Sequence, residues 1–150
     1  MKKQGIGIIN CKIHNTCSIV EPVNMYGCEV GEGTFIGPFV EIQSGVAIGE
    51  NVRIQSHSFI CSGVTIGHNS FIGHGVMFIN DLFQNGGPAR GDKSKYKNTE
   101  IAENVSIGSN ATILPVKIVP NVVIGAGSVV TKDILQSGVY VGNPAKKLNK

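Results

Sequence analysis

Bulky apolar residues recur along this chain at every sixth position. Counting from Val30 in steps of six gives Ile36, Ile42, Ile48, Ile54, Ile60, Ile66, Ile72 and Phe78. A second run gives Ile101, Ile107 and Ile113, and a third gives Ile118, Ile124 and Val130. An amphipathic helix repeats every 3.6 residues and a half-buried strand every two, so a period of six belongs to neither. It is the mark of a repeat architecture. With the apolar residue as position one, position four reads Gly33, Phe39, Gly45, Asn51, His57, Gly63, Asn69, Gly75 and Asp81. All but Phe39 are residue types that enter positive φ most readily, which predicts one tight turn per hexad. Position five is mostly small or β-branched (Thr34, Val40, Val46, Val52, Ser58, Val64, Ser70, Val76), suited to filling a corner. Each hexad is thus a short strand plus a turn. Three hexads close a triangular coil of 18 residues, and stacked coils pile position one into an apolar column.

The repeat breaks in three places. At the N-terminus, Ile13 and Ile19 are out of phase with Val30, which predicts a ragged capping coil. From Phe83 to Thr99 the period vanishes in a Gly-Pro-containing, basic stretch, FQNGGPARGDKSKYKNT. A loop this long in a repeat protein is usually functional or disordered, and its opening from Asn80 and Asp81 favours function. The bland alternative is a solvated insertion. Between Ile113 and Ile118 one residue is missing, a gap expected to fall at a single corner near Pro115. At position six, Phe35, Arg53 and Phe71 stack in one outward ladder and Glu41, Phe59 and Met77 in another. Exposed apolar ladders exceed what a monomer carries, and cyclic self-association would bury them.

Composition narrows the class. The 150 residues form one domain, 1–150, with 20 glycines and only 15% charged residues, suiting turns and short strands over charged helices. A net charge of +3 with scattered basic residues makes no case for nucleic acid. No apolar run is long enough for a signal peptide or a membrane span, so the expectation is a cytoplasmic protein without membrane insertion. Cys11, Cys17, Cys28 and Cys61 form no CxxC pair or metal-ligand spacing and are expected as small buried apolar side chains.

The repeat resembles that of the hexapeptide-repeat transferases, and the resemblance covers nearly the whole chain. It implies an all-β, left-handed parallel β-helix with one inserted loop, about 83–99, and a short C-terminal tail. Handedness comes from the resemblance alone. Within that family the segments EIQSGVAIGENVRIQSHSFICSGVTIG, FIGHGVMFINDLF, GGPARGDK, VSIGSNATILPVKI, VVIGAGSVVTKDI and VYVGNPAKKL are similar to bacterial N-acetyltransferases of nucleotide-linked amino-deoxy-sugars. The resemblance implies transfer of acetyl from acetyl-CoA, without metal, to the amine of a dTDP- or UDP-linked sugar destined for surface polysaccharide. It also implies a homotrimer with active sites between subunits.

Acetyl-CoA is already an activated thioester, so such an enzyme must hold a neutral amine near the carbonyl and stabilise an oxyanion. Corner N–H groups or an amide side chain can supply the oxyanion donor. Three side chains stand out as catalytic candidates: Asn80 to orient the amine or polarise the thioester, with His57 and His74 to bond the sugar or accept the proton. Stacking puts His57 and His74 on adjacent coils, roughly 5 Å apart along the axis. His57 equally fits a plain turn residue, and His14 and His68 are expected to be structural. For the acceptor, Arg90, Lys95 and Tyr96 on the loop suit the diphosphate and base, with Asp81 beside them and Glu41 facing sugar hydroxyls across an interface. For CoA, the resemblance implies Gly108, Ala126 and Gly127 along the pantetheine arm, with Lys132, Asn143, Pro144 and Lys146 near the adenine and phosphates. Three other readings stay open at this point: an O-acetyltransferase, in which a histidine base matters more; a zinc hydratase resembling the γ-class carbonic anhydrases, which needs three converging histidines; and a non-catalytic scaffold.

Overall fold

In a computed structural model describing residues 1–149, the chain is a parallel β-helix of three sheets, with seven strands in sheet I, six in sheet II and eight in sheet III. It takes the left-handed form of the family it resembles. Most strands are two or three residues long, each carrying one inward apolar residue of the six-residue repeat. Those residues stack in register: Ile36 pairs with Ile54 and Ile54 with Ile72 in sheet III, 18 residues apart each time. Ile36, Ile42, Ile54, Ile60, Ile72, Phe78, Ile107 and Ile113 have no solvent exposure. Each such burial contributes about 1.5–3 kcal/mol. The three ion pairs among the described residues are all on the surface, where a pair is worth at most about 1 kcal/mol. The apolar column therefore holds the fold together.

The predicted turn recurs at nearly every corner. Gly33, Gly45, Asn51, His57, Gly63, Asn69 and Gly75 all have φ between 53° and 84°. Phe39 also takes the left-handed conformation, at φ 61°, although an aromatic side chain disfavours it. Asp81 does not, because the chain leaves the coil there and bridges to Tyr96.

All irregularities gather on the edge between sheets I and II. The steps from Met25 to Val30 and from Ile113 to Ile118 are five residues, and the long loop leaves the same edge. The missing residue near Pro115 is therefore one of three, since the step from Ile8 to Ile13 is also five. The N-terminal segment, expected to be ragged, is instead an ordered coil: strands Ile8–Ile9, Lys12–Ile13 and Ser18–Ile19 pair with the next coil 17 residues on. The C-terminal tail is a hairpin, Gly138–Gly142 with Ala145–Lys147, that extends sheet III. No helix of the described residues is long and apolar enough to cross a membrane.

Buried hydroxyls at position five tie coils together. Thr34 Oγ1 donates to the Gly49 carbonyl at 2.9 Å and accepts the Val52 N–H at 3.1 Å. Ser58 and Ser70 repeat the arrangement. Thr99 holds the equivalent place above the shortened Leu114–Val116 corner, and its buried Oγ1 finds no partner among the described residues. The equivalent groups at this shortened corner, the Leu114 carbonyl and the Val116 N–H, do not reach it. Thr99→Val should therefore stabilise the protein by about 1 kcal/mol, read as a rise in Tm of about 2–4 °C. A fall in Tm would mean that the hydroxyl has a partner after all.

The cysteine expectation holds in part. Cys28 and Cys61 are buried, and burial pushes their thiols up to about 12 and about 11. Cys11 and Cys17 are half-exposed instead, because they belong to the terminal coil, which has a neighbour on one side only.

Candidate functional site

The prism has three edges, and they differ in chemistry. Between sheets II and III the corner side chains include Glu32, Glu50, His68 and Glu103. His68 Nδ1 accepts the Glu50 N–H at 2.8 Å, the structural role expected of it. This edge is acidic, a poor seat for a phosphorylated ligand.

The edge between sheets III and I is lined by Pro38–Phe39, Ser56–His57, His74–Gly75, Ser109–Asn110 and Ala126–Gly127. The Gly75 N–H donates to Ser56 O at 3.0 Å, Asn110 N–H to His74 O at 2.8 Å and Gly127 N–H to Ser109 O at 2.9 Å. The intervening N–H groups of Ser56, His74, Ser109 and Ala126 have no acceptor among the described residues. The result is a column of N–H groups without an acceptor among the described residues, interleaved with small neutral residues. His57 and His74 stand exposed on adjacent coils of it, as expected. His74 Nδ1 lies 2.9 Å from Ser56 Oγ, and the His57 ring packs against Phe39 with centroids 5.0 Å apart. Gly108 lies on the same edge, where a Cβ would come within 2.5 Å of Ala126 N, so stacking already demands glycine there. The C-terminal hairpin closes the lower end: the Gly142 N–H donates to Ser128 Oγ at 3.1 Å, which brings the Asn143-Pro144 turn beside Gly127. Lys146 follows on the returning strand.

Between sheets I and II lies a different constellation. Asn80 Nδ2 donates to Ser62 O at 3.1 Å and Ser62 Oγ at 3.0 Å. The Ser62 N–H donates to Gln43 Oε1, Gln43 Nε2 to Glu41 Oε1 and Asn24 Nδ2 to Glu41 Oε2, so one polar chain spans four coils. Tyr26 adjoins it, its phenol held above its usual range first by burial and then by the Glu41 charge. The loop neck is pinned where Lys97 N–H meets Asn80 O at 2.9 Å. Asp81 uses both carboxylate oxygens on the backbone N–H groups of Phe83 and Ala89, which shapes the loop's entry. The loop folds back to form a cleft of about 350 Å³ lined by Ser44, Gly45, Ser62, Gly63, Lys93, Tyr96 and Asn98. Lys95 leans on Asp92 at 3.8 Å, while Arg90 is exposed at φ 53°. Lys132 belongs to this edge at the last coil, away from the other proposed CoA residues.

The sequence-predicted residues thus fall into two groups. His57, His74, Gly108, Ala126, Gly127, Asn143 and Pro144 share one edge, while Glu41, Asn80, Asp81, Tyr96 and Lys132 share another. His74 and Asn80 stand at the two ends of one face of the prism, with the corner at Gly75 and the strand Met77–Phe78 between them. Gln43, Ser62 and Lys93 escaped sequence reasoning. Only the 18-residue stacking rule, applied backwards from Asn80, would have found Ser62. No three His, Cys, Asp or Glu side chains among the described residues converge as a metal site.

The bacterial transferase hexapeptide (six repeats) family matches residues 27–62 and 48–80, and the hexapeptide repeat of succinyl-transferase matches residues 99–132. Together they span more than half of the chain, which belongs to the hexapeptide-repeat family. A chloramphenicol acetyltransferase of Klebsiella aerogenes is 42% identical over 71 residues, 47% of this chain and 29% of that protein. The chain spans under a third of the length of the curated relatives it matches. A hexapeptide-repeat acetyltransferase of Vibrio cholerae, complexed with acetyl-CoA, superposes with a TM-score of 0.68 at 25% identity, covering 82% of this chain and 70% of that one. A mutant of AntD, an N-acyltransferase from Bacillus cereus in complex with dTDP and coenzyme A, superposes at 0.72 and 24% identity over 97% of this chain and 84% of that one. That likeness is one of fold.

Proposed function

We propose that this chain is an acetyl-CoA-dependent N-acetyltransferase of a nucleotide-linked amino-deoxy-sugar, working as a homotrimer. The observation that carries the reading is the edge between sheets III and I. It joins unpaired N–H donors, small neutral neighbours and two exposed imidazoles on one line. Those donors suit the amide carbonyls of a pantetheine arm and the oxyanion of a tetrahedral intermediate. The bound acetyl-CoA in the Vibrio cholerae relative supports the donor. Asn143, Pro144 and Lys146 then serve its nucleotide end, and Lys132, on the edge between sheets I and II, serves it from a neighbouring subunit.

The acceptor belongs to the other half-site. Asn80 orients the amine, Glu41 takes sugar hydroxyls, and Arg90, Lys95 and Tyr96 take the phosphates, with Asp81 fixing the loop that carries them. One chain holds the two half-sites at different corners, so they meet only between subunits. Outward apolar residues on sheets I and III support that assembly: Phe71 and Met77 are each 39% exposed and Val123 44%. Sheet II carries the paired charges Lys12–Glu29 and Glu100–Lys117, suited to water.

A hydroxyl acceptor is the second reading, favoured by the local match to a chloramphenicol acetyltransferase and by the two exposed imidazoles. Thiol release from acetyl-CoA, followed over nucleotide-linked 3-amino and 4-amino sugars, free amino-sugars and hydroxyl acceptors, separates the two. Turnover is expected with one nucleotide-linked amine, by a particle of three chains in light scattering. Turnover confined to hydroxyl acceptors overturns the amine; no turnover and no CoA binding overturns the enzyme.

A further inference from the structure

Phe39 is an anomaly at its corner, because the repeat imposes there a backbone conformation that its own side chain resists. Every other corner residue on its edge that takes positive φ is one that tolerates it: His57, Gly75, Asn110 and Gly127. Phe39 takes φ 61° yet buries nothing in the core, being 57% exposed. An exposed aromatic in a strained conformation is a candidate for function. Its ring meets the His57 imidazole at 5.0 Å with a tilt of 34°. On the strand that leads to this corner, Phe35 pairs with Arg53, whose guanidinium lies 4.7 Å over the Phe35 ring and has no carboxylate partner among the described residues. An exposed aromatic ring and, on the strand leading to its corner, an unmatched guanidinium suit a planar base joined to phosphate.

We propose that Phe39, stacked on His57, is the shelf for the nucleobase of the acceptor, with Arg53 supplying positive charge toward its phosphates. This rests on the N-acetyltransferase reading and deepens it. If the donor runs along the edge from Gly127 up to His74, an acceptor whose amine meets the thioester there has its nucleotide directed toward the N-terminal coils. His57 and then Phe39 are the next corners in that direction. Cations on a neighbouring subunit's loop would close over the phosphates from outside.

The test is titration of the full-length protein with dTDP and UDP by calorimetry, for wild type, Phe39→Gly, Phe39→Leu and Arg53→Gln. Glycine relieves the backbone strain, so Phe39→Gly should unfold at or above the wild-type temperature while its nucleotide affinity falls about tenfold or more. Phe39→Leu should lose comparable affinity, and Arg53→Gln should weaken nucleotide binding while flattening its salt dependence. KM for the nucleotide-linked acceptor should rise in parallel, with acetyl-CoA affinity unchanged. Wild-type nucleotide affinity in Phe39→Gly, or loss of the trimer in that variant, overturns the shelf while leaving the N-acetyltransferase reading intact. Absence of both nucleotide binding and amine acetylation in the wild type overturns both.

Discussion

Asn80→Ala should lower kcat/KM for the amine acceptor by about 100-fold or more, while acetyl-CoA binding and the folded coil persist. The magnitude is that of removing a positioned polar group from a reacting centre. The hydrogen bonds decide which end of the amide acts. A carbonyl only accepts, so the Ser62 carbonyl fixes Asn80 Nδ2 against it and turns Oδ1 away. Oδ1 accepts no hydrogen bond from the described residues. An amine that donates one N–H to Oδ1 keeps its lone pair free for the thioester carbon. Polarising the thioester, the other role open to Asn80 on sequence grounds, would require Nδ2, which Ser62 already holds. Asn80→Asp should fare little better than alanine, since one carboxylate oxygen would face the Ser62 carbonyl. Steady-state kinetics with each variant checks this; a loss of under threefold in Asn80→Ala would remove Asn80 from the chemistry.

The coils were legible because a burial requirement repeats every six residues, and each Ile of the column announces its own strand. The corner at Phe39 shows the strength of that requirement: the repeat imposes positive φ even on a residue that resists it. Asp81 was misread as one more corner because the break in period follows it and leaves no local mark on it. The N-terminal coil looked ragged for a related reason. Its register differs by one residue, and only the pairing of Ile13 with Val30 reveals that the coil is complete. For the site, stacking by 18 correctly joined His57 to the His74–Gly75 corner. The polar chain from Glu41 through Gln43 and Ser62 to Asn80 was illegible, because it depends on rotamers and on serines and glutamines ordinary at any surface.

The glycines at the residue after each apolar step carry the second large expectation. Gly67→Ala should destabilise the protein by about 3 kcal/mol, lowering Tm by about 6–12 °C. The backbone conformation there is one that alanine accepts, so the cost is steric. A Cβ on Gly67 would lie 2.5 Å from both Ala102 C and Glu103 N, and these are backbone atoms of the next coil. They cannot retreat cheaply, because the Gly67 N–H is bonded to Ile101 O at 2.7 Å in the same ladder. Gly45→Ala makes the contrast: nothing lies within 4 Å of its Cβ, but φ is 78°, so only the left-handed penalty of about 1 kcal/mol applies. Gly67 stands on the acidic edge, remote from both half-sites, so molecules that remain folded should acetylate at the wild-type rate. Thermal unfolding of the two variants beside wild type checks the ranking. Equal losses would mean that coil spacing yields to a methyl group. The same contact would then no longer account for Gly108, whose added Cβ meets Ala126 N at the same 2.5 Å, and its smallness would have to be explained by the ligand that passes over it.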